Sequence, residues 1–146
     1  MPKAKLYTGP NNHRIIHVLI FNDHGKMALQ LRSQTVGFLP LHWTTVVGGH
    51  VQAGETPGQA AKREMQEEIG IDVPIERLFE TVYEPPHIPG MKKFLTIFRA
   101  KYNGPFSPDP EAVKRIEFFD FDIIKQMIEK GEKIHSELIQ VMNLLK

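Results

Sequence analysis

The segment Gly54–Gly70 limits what this chain can fold into more than any other. Thr56 is an N-cap candidate, Pro57 suits the first helical position, where a missing N–H costs nothing, and Gly70 suits a left-handed C-terminal residue. Between them Ala61, Met65 and Ile69 recur at helical spacing and form one apolar stripe. At about 100° per residue, with Arg63 at zero, Glu67 falls near about 40°, Glu64 near about 100° and Glu68 near about 140°. Three carboxylates therefore share one sector beside a stripe that must be buried. Like charges at this spacing oppose each other, and partial desolvation strengthens the conflict. A hard divalent cation removes it, since Mg²⁺ takes its oxygen ligands from a few carboxylates, waters and substrate phosphates. Arg63 can hold a neighbouring carboxylate in a bidentate pair. The competing reading is a solvated acidic face with no site.

The stripe needs a sheet to pack on, and the flanking sequence supplies strands. Arg14–Phe21 is rich in β-branched and apolar residues, and Asn22–Gly25 is turn chemistry. Lys26–Arg32 alternates and reads as the returning strand of a hairpin. Thr35–His42 reads as a loop, and Trp43–Val47 as a strand closed by Gly48 and Gly49. Leu78–Glu84 and Lys93–Tyr102 are two more strands, joined by the proline-rich loop Pro85–Gly90, and Lys114–Phe121 is the last. Asp122–Lys130 and Ile134–Leu145 read as terminal helices broken at Gly131. The order predicts an α/β fold, a mixed sheet covered by helices on both faces. A chain of 146 residues without a linker or repeat is expected to form one domain over residues 1–146.

Composition narrows the function classes. With 18 Lys+Arg against 17 Asp+Glu the net charge is +1, which lacks the basic excess of a dedicated nucleic-acid polymer binder. There is no cysteine, so disulfides, thiolate metal sites and cysteine nucleophiles are all excluded. No apolar run is long enough to span a membrane, and the opening MPKAKLYTGPNNHR has no signal-peptide core. The expectation is a cytoplasmic protein without membrane contact, as a monomer or homodimer.

Read as a whole, Gly49–Ile71 (GHVQAGETPGQAAKREMQEEIGI) resembles the Nudix box. That pattern is Gly, five residues, Glu, seven residues, then Arg-Glu-apolar-x-Glu-Glu-x-Gly-apolar. Gly49, Glu55, Arg63, Glu64, Met65, Glu67, Glu68, Gly70 and Ile71 fill every fixed position. The resemblance implies an α/β/α sandwich with the box as loop–helix–loop, and hydrolysis of a diphosphate with Mg²⁺ or Mn²⁺. It implies that Glu64, Glu67 and Glu68 ligate the metal, that the Gly48 backbone carbonyl adds to them, and that Glu55 and Arg63 orient the carboxylates. Many members draw a further acid from a loop before the last strand, where Glu111 lies in Pro108-Asp109-Pro110-Glu111.

A second resemblance lies upstream. His13, Gln30-Leu31-Arg32 and Trp43–His50 look like isopentenyl diphosphate isomerase, a Nudix relative that has a catalytic Cys at the position of Gly48 and a metal-binding His at that of His50. A chain without cysteine lacks the key group of the isomerase's proton transfers, and the box here is intact. The resemblances together imply a hydrolase of a small-molecule diphosphate, such as a nucleoside diphosphate linked to another moiety. An isomerase-like enzyme acting on a prenyl diphosphate and a catalytically silent ligand-binding domain are the alternatives. On the substrate side, Arg32 reads as a phosphate clamp or a surface ion pair, Gly49 as a further contact, His50 as a loop residue or a contact to metal or phosphate, and Trp43 as a core residue or a stacking platform. Tyr83 and Phe94 carry the same ambiguity. The remaining histidines, His17 and His135 among them, show no ligand spacing and read as structural or solvent-facing.

Overall fold

The computed structural model describes residues 12–145. Most of the opening MPKAKLYTGPNNHR, on which the expectation of no signal peptide rests, lies outside them. Seven strands form one mixed sheet: β1 Asn12–Phe21, β2 Met27–Arg32, β3 Trp43–Thr45, β4 Val47–His50, β5 Ile75–Tyr83, β6 Lys92–Lys101 and β7 Val113–Phe119. The helices are α1 Pro57–Ile69, α2 Phe121–Glu129 and α3 Ser136–Leu144. The spatial order is β3-β2-β1-β6-β5, with β4 paired to β1 and β7 to β2.

Alternation along β1 divides the core in two. Ile16, Val18 and Ile20 face α1, where they pack with Ala61, Met65 and Ile69. Ile15 and Leu19 face the other way, toward Ile124 of α2 and Leu138 of α3. The α/β class with helices on both faces is therefore observed. Leu95 and Ile97 of β6 repeat this alternation, because β6 runs parallel to β1 in register from Asn12↔Lys92 to Phe21↔Lys101.

Pairings differ from the sequence reading in several places. β1 and β2 are joined by the expected turn but meet only at Phe21↔Met27. Beyond it β2 leaves β1 to pair with β3 on one side and β7 on the other. The segment WTTVV is not one strand. It kinks at Val46, and the Gln30 side-chain amide donates to the carbonyls of Thr45 (2.9 Å) and Val46 (3.1 Å), replacing ladder bonds that the kink removes. Gly48 and Gly49 lie within β4 rather than closing a strand. β5 begins at Ile75, and β7 ends at Phe119 so that Phe121 opens α2. Ile134 precedes α3 and forms an isolated bridge with Trp43.

The helix α1 follows the sequence reading closely. Thr56 accepts from the Gln59 N–H while the Gln59 side chain accepts from the Thr56 N–H, a complete capping box. Gly70 closes the helix at φ 67°. Gly54 lies outside the helix, in the preceding loop.

Candidate active site

The site forms where the α1 glutamates meet the outer edge of β4. Val51 N–H donates to Arg14 C=O at 2.9 Å. In an antiparallel ladder hydrogen-bonded pairs alternate with open ones. The pairs Ile16↔Gly49 and Val18↔Val47 are therefore closed, and Ile15↔His50 and His17↔Gly48 are open. The peptide groups of Gly48 and His50 thus point away from β1. Arg63 Nη2 reaches the His50 carbonyl from that side at 3.1 Å.

Arg63 is fully engaged. Its Nε donates to Glu55 Oε2 at 2.7 Å, Nη2 to Glu55 Oε1 at 3.1 Å, and Nη1 to Glu67 Oε1 at 3.2 Å. Glu55 in turn accepts from the Gln52 N–H at 2.8 Å. The hydrogen bonds to Glu55 hold the Arg63 guanidinium above its ordinary pKa. Arg63 thus ties the loop before α1, the end of β4 and α1 itself together.

The three helix glutamates are not equivalent. Glu64 lies flat on Gly49, where a Cβ would overlap its carboxylate. Glu68 is largely buried, and that burial together with the Glu64 charge pushes its carboxyl up to about 9, against an opposing hydrogen bond from the Gly48 backbone. Its Oε2 is the only buried side-chain oxygen or nitrogen without a partner among the described residues. Glu67 is turned to Arg63 and is 58% exposed. No three Asp, Glu, His or Cys side chains converge among the described residues. The carboxylates that could face one cation in this arrangement are the adjacent Glu64 and Glu68, beside the outward edge of Gly48. An orphaned buried oxygen and a raised pKa are what such a pair shows without a cation, and Mg²⁺ needs few protein ligands. The residues fit a divalent metal.

A family model, NUDIX domain, matches residues 11–142. The chain belongs to the Nudix family. A Nudix hydrolase of Nostoc sp. is 27% identical over 146 residues, covering 97% of this chain and 85% of that one. Among solved structures, DR0079 of Deinococcus radiodurans superposes with a TM-score of 0.78 at 21% identity, covering 90% of this chain and 81% of that one. The MutT protein of Methanosarcina mazei Go1 superposes with a TM-score of 0.74 at 18% identity, covering 90% and 91%. At such identities the superpositions speak for the fold, and the family match makes this chain a Nudix hydrolase.

A cleft of about 350 Å³ runs from Glu68 and Gly48 around the β4 edge to the sheet face under α3. Its inner end contains groups that the sequence reading missed. His17 is buried opposite Gly48. Its Nδ1 is 2.7 Å from Thr45 Oγ1, and its Nε2 is 2.9 Å from Glu137 Oε1 on α3. Lys93 Nζ donates to Glu137 Oε2 at 2.8 Å, and His135 Nε2 stands 3.4 Å from the same oxygen. Hydrogen bonds from His135 and His17 overcome burial and hold Glu137 far below the usual carboxylate range. His17 and His135 are therefore structural in one sense, but they line the cleft rather than face solvent. Only the register of three separate segments brings this group together, and no local motif signals it.

Arg32 lies on the cleft wall, with Nε donating to the Phe38 carbonyl at 2.6 Å and its guanidinium 5.7 Å from the Phe38 ring centre. Phe38 itself is exposed. The His50 ring stands edge-on to His13 at 5.5 Å. Trp43 is buried against Phe119 and belongs to the core. The Tyr83 hydroxyl bonds Ser136 at 2.7 Å, and Phe94 is exposed. Glu111 is exposed, and its backbone carbonyl accepts from Ser33 and Thr35. The loop acid on the hollow shared by Glu67 and Glu68 is Asp109, two residues earlier.

Proposed function

We propose that this Nudix hydrolase cleaves a diphosphate linkage in a small molecule, a nucleoside diphosphate joined to another moiety, with Mg²⁺ or Mn²⁺. The observation that carries this reading is the buried, unpartnered Oε2 of Glu68 beside Glu64. Glu64 and Glu68, with the outward Gly48 carbonyl, would hold the cation. A bound divalent cation neutralises phosphate oxygens and lowers the pKa of an attacking water. The chain's own contributions are orientation and proton transfer. Arg63 and Glu55 fix α1 against β4. Glu67, ion-paired to Arg63 and open to solvent, is our candidate acceptor for the water's proton. Asp109 in the facing loop takes, in this reading, the role that the resemblance implies for Glu111. Gly49 lets Glu64 lie close, and Arg32 and His50 line the route by which substrate enters.

Prenyl diphosphate isomerisation has less support. It needs a side chain at position 48 to move a proton, and a Cβ there would stand 3.0 Å from His17 Nδ1. The test is a screen of nucleotide sugars, dinucleoside polyphosphates, nucleoside triphosphates and prenyl diphosphates, read by phosphate or pyrophosphate release with Mg²⁺ and with chelator. Release that requires the cation is expected from at least one nucleotide. Release that survives complete chelation would overturn the reading. So would deuterium incorporation into prenyl diphosphates in heavy water.

A further inference from the structure

We propose that Lys93 binds an anionic oxygen of the substrate's diphosphate, swinging from Glu137 to do so, and thereby makes the inner end of the cleft part of the substrate site. The inference rests on the metal-dependent reading above. Glu64 and Glu68 together cancel the charge of one divalent cation, so the diphosphate's own charge needs other partners. Arg63 is spent on Glu55, Glu64, Glu67 and the His50 carbonyl. Of the lining cations, Arg32 has its Nε on the Phe38 carbonyl and its guanidinium over the Phe38 ring. Among the described residues, Lys93 is the other lysine or arginine on this cleft.

Lys93 is also the donor that Glu137 can release. Oε1 of Glu137 keeps His17, and Oε2 keeps His135, when the ammonium leaves. A Lys head has three rotatable donors on a flexible stem, which suits it to exchange one oxygen partner for another. The side chain is 20% exposed, so the exchange takes it toward the opening rather than into solvent. A lysine serving only as a buried ion pair would instead depend on Glu137 for its place, and that difference gives the test.

Methylenediphosphonate, which water cannot hydrolyse at its bridging carbon, is titrated by calorimetry into the wild type with Mg²⁺ and into Lys93→Gln, Lys93→Arg and Glu137→Gln. Thermal melts confirm that each variant is folded. Lys93→Gln should weaken binding by on the order of tenfold, the loss of one hydrogen bond to a charged group. Lys93→Arg should recover most of it. Glu137→Gln, by removing the competing carboxylate, should bind as tightly as wild type or more tightly. Wild-type affinity in Lys93→Gln, equal losses in Lys93→Gln and Glu137→Gln, or no binding to the wild type would each overturn the proposal. Glu68→Gln is the separate control. If it binds like wild type while Lys93→Gln does not, the metal reading fails and the lysine assignment stands.

Discussion

Gly49 has no side chain because Glu64 occupies the place of its Cβ. The group that would collide is the far end of a flexible side chain, so Gly49→Ala should cost the fold little and the reaction much. We expect kcat to fall on the order of a hundredfold, the size of losing one strong transition-state stabiliser, with a change of under about 1 kcal/mol in urea unfolding. A near-normal rate would show that Glu64 does not act from this position. Glu68 gives a second residue-scale prediction. Its carboxyl rises from 4.5 to about 9 in the folded, metal-free protein, so between those values the folded state holds a proton that the unfolded chain has released. Stability must then fall as pH rises through that window. Urea midpoints without metal should decrease from about pH 6 to about pH 9, and Glu68→Gln, which resembles the neutral acid, should flatten the decrease. A slope unchanged in the variant would contradict the shifted pKa. These glutamates were legible in the sequence because one helix sets their spacing. Lys93, His17 and Glu137 were not, because each stands on a different element and only tertiary register joins them.

At the scale of elements, α1 could be read almost to the residue. Its Thr56 cap, Pro57 start and Gly70 stop are local chemistry, decided within a few residues. Thr56→Ala should remove one capping bond and cost about 1 kcal/mol in denaturant unfolding, while kcat changes by less than about threefold because Arg63 still holds α1 to Glu55 and His50. A much larger loss of rate at equal stability would mean that the cap positions the glutamates directly. The segment Trp43–His50 was harder to read. Its apolar run gives no sign of the kink at Val46, which depends on the Gln30 amide arriving from β2. Without that kink the Gly48 peptide would not lie on the outer edge of β4 where α1 reaches it. The loop carrying Glu111 was hard to read for a related reason. The turn from Asp109, which accepts from the Glu111 N–H at 3.0 Å, turns Asp109 rather than Glu111 toward the hollow.

At the scale of the molecule, the sheet brings together distant segments. The ten-residue parallel match of β1 with β6 spans most of the chain, and nothing in either strand alone announces its partner. That match carries both cores, since Leu95 and Ile97 complete the α3 face while Phe98 and Ala100 complete the α1 face. Leu95→Ala should therefore destabilise the whole protein by about 2–5 kcal/mol in urea unfolding. A loss below about 1 kcal/mol would mean that the cores are less tightly joined.

In the proposed site Glu64 and Glu68 hold a divalent cation, and Glu68 stays protonated until the cation arrives. Calorimetric titration of Mn²⁺ near neutral pH, repeated in two buffers of different ionisation heat, tests it most directly, because a ligand that must lose its proton releases it to the buffer. Saturable binding with about one proton released per ion bound is expected, with loss of both signals in Glu68→Gln. Binding without proton release, or binding of equal strength in Glu68→Gln, would contradict it.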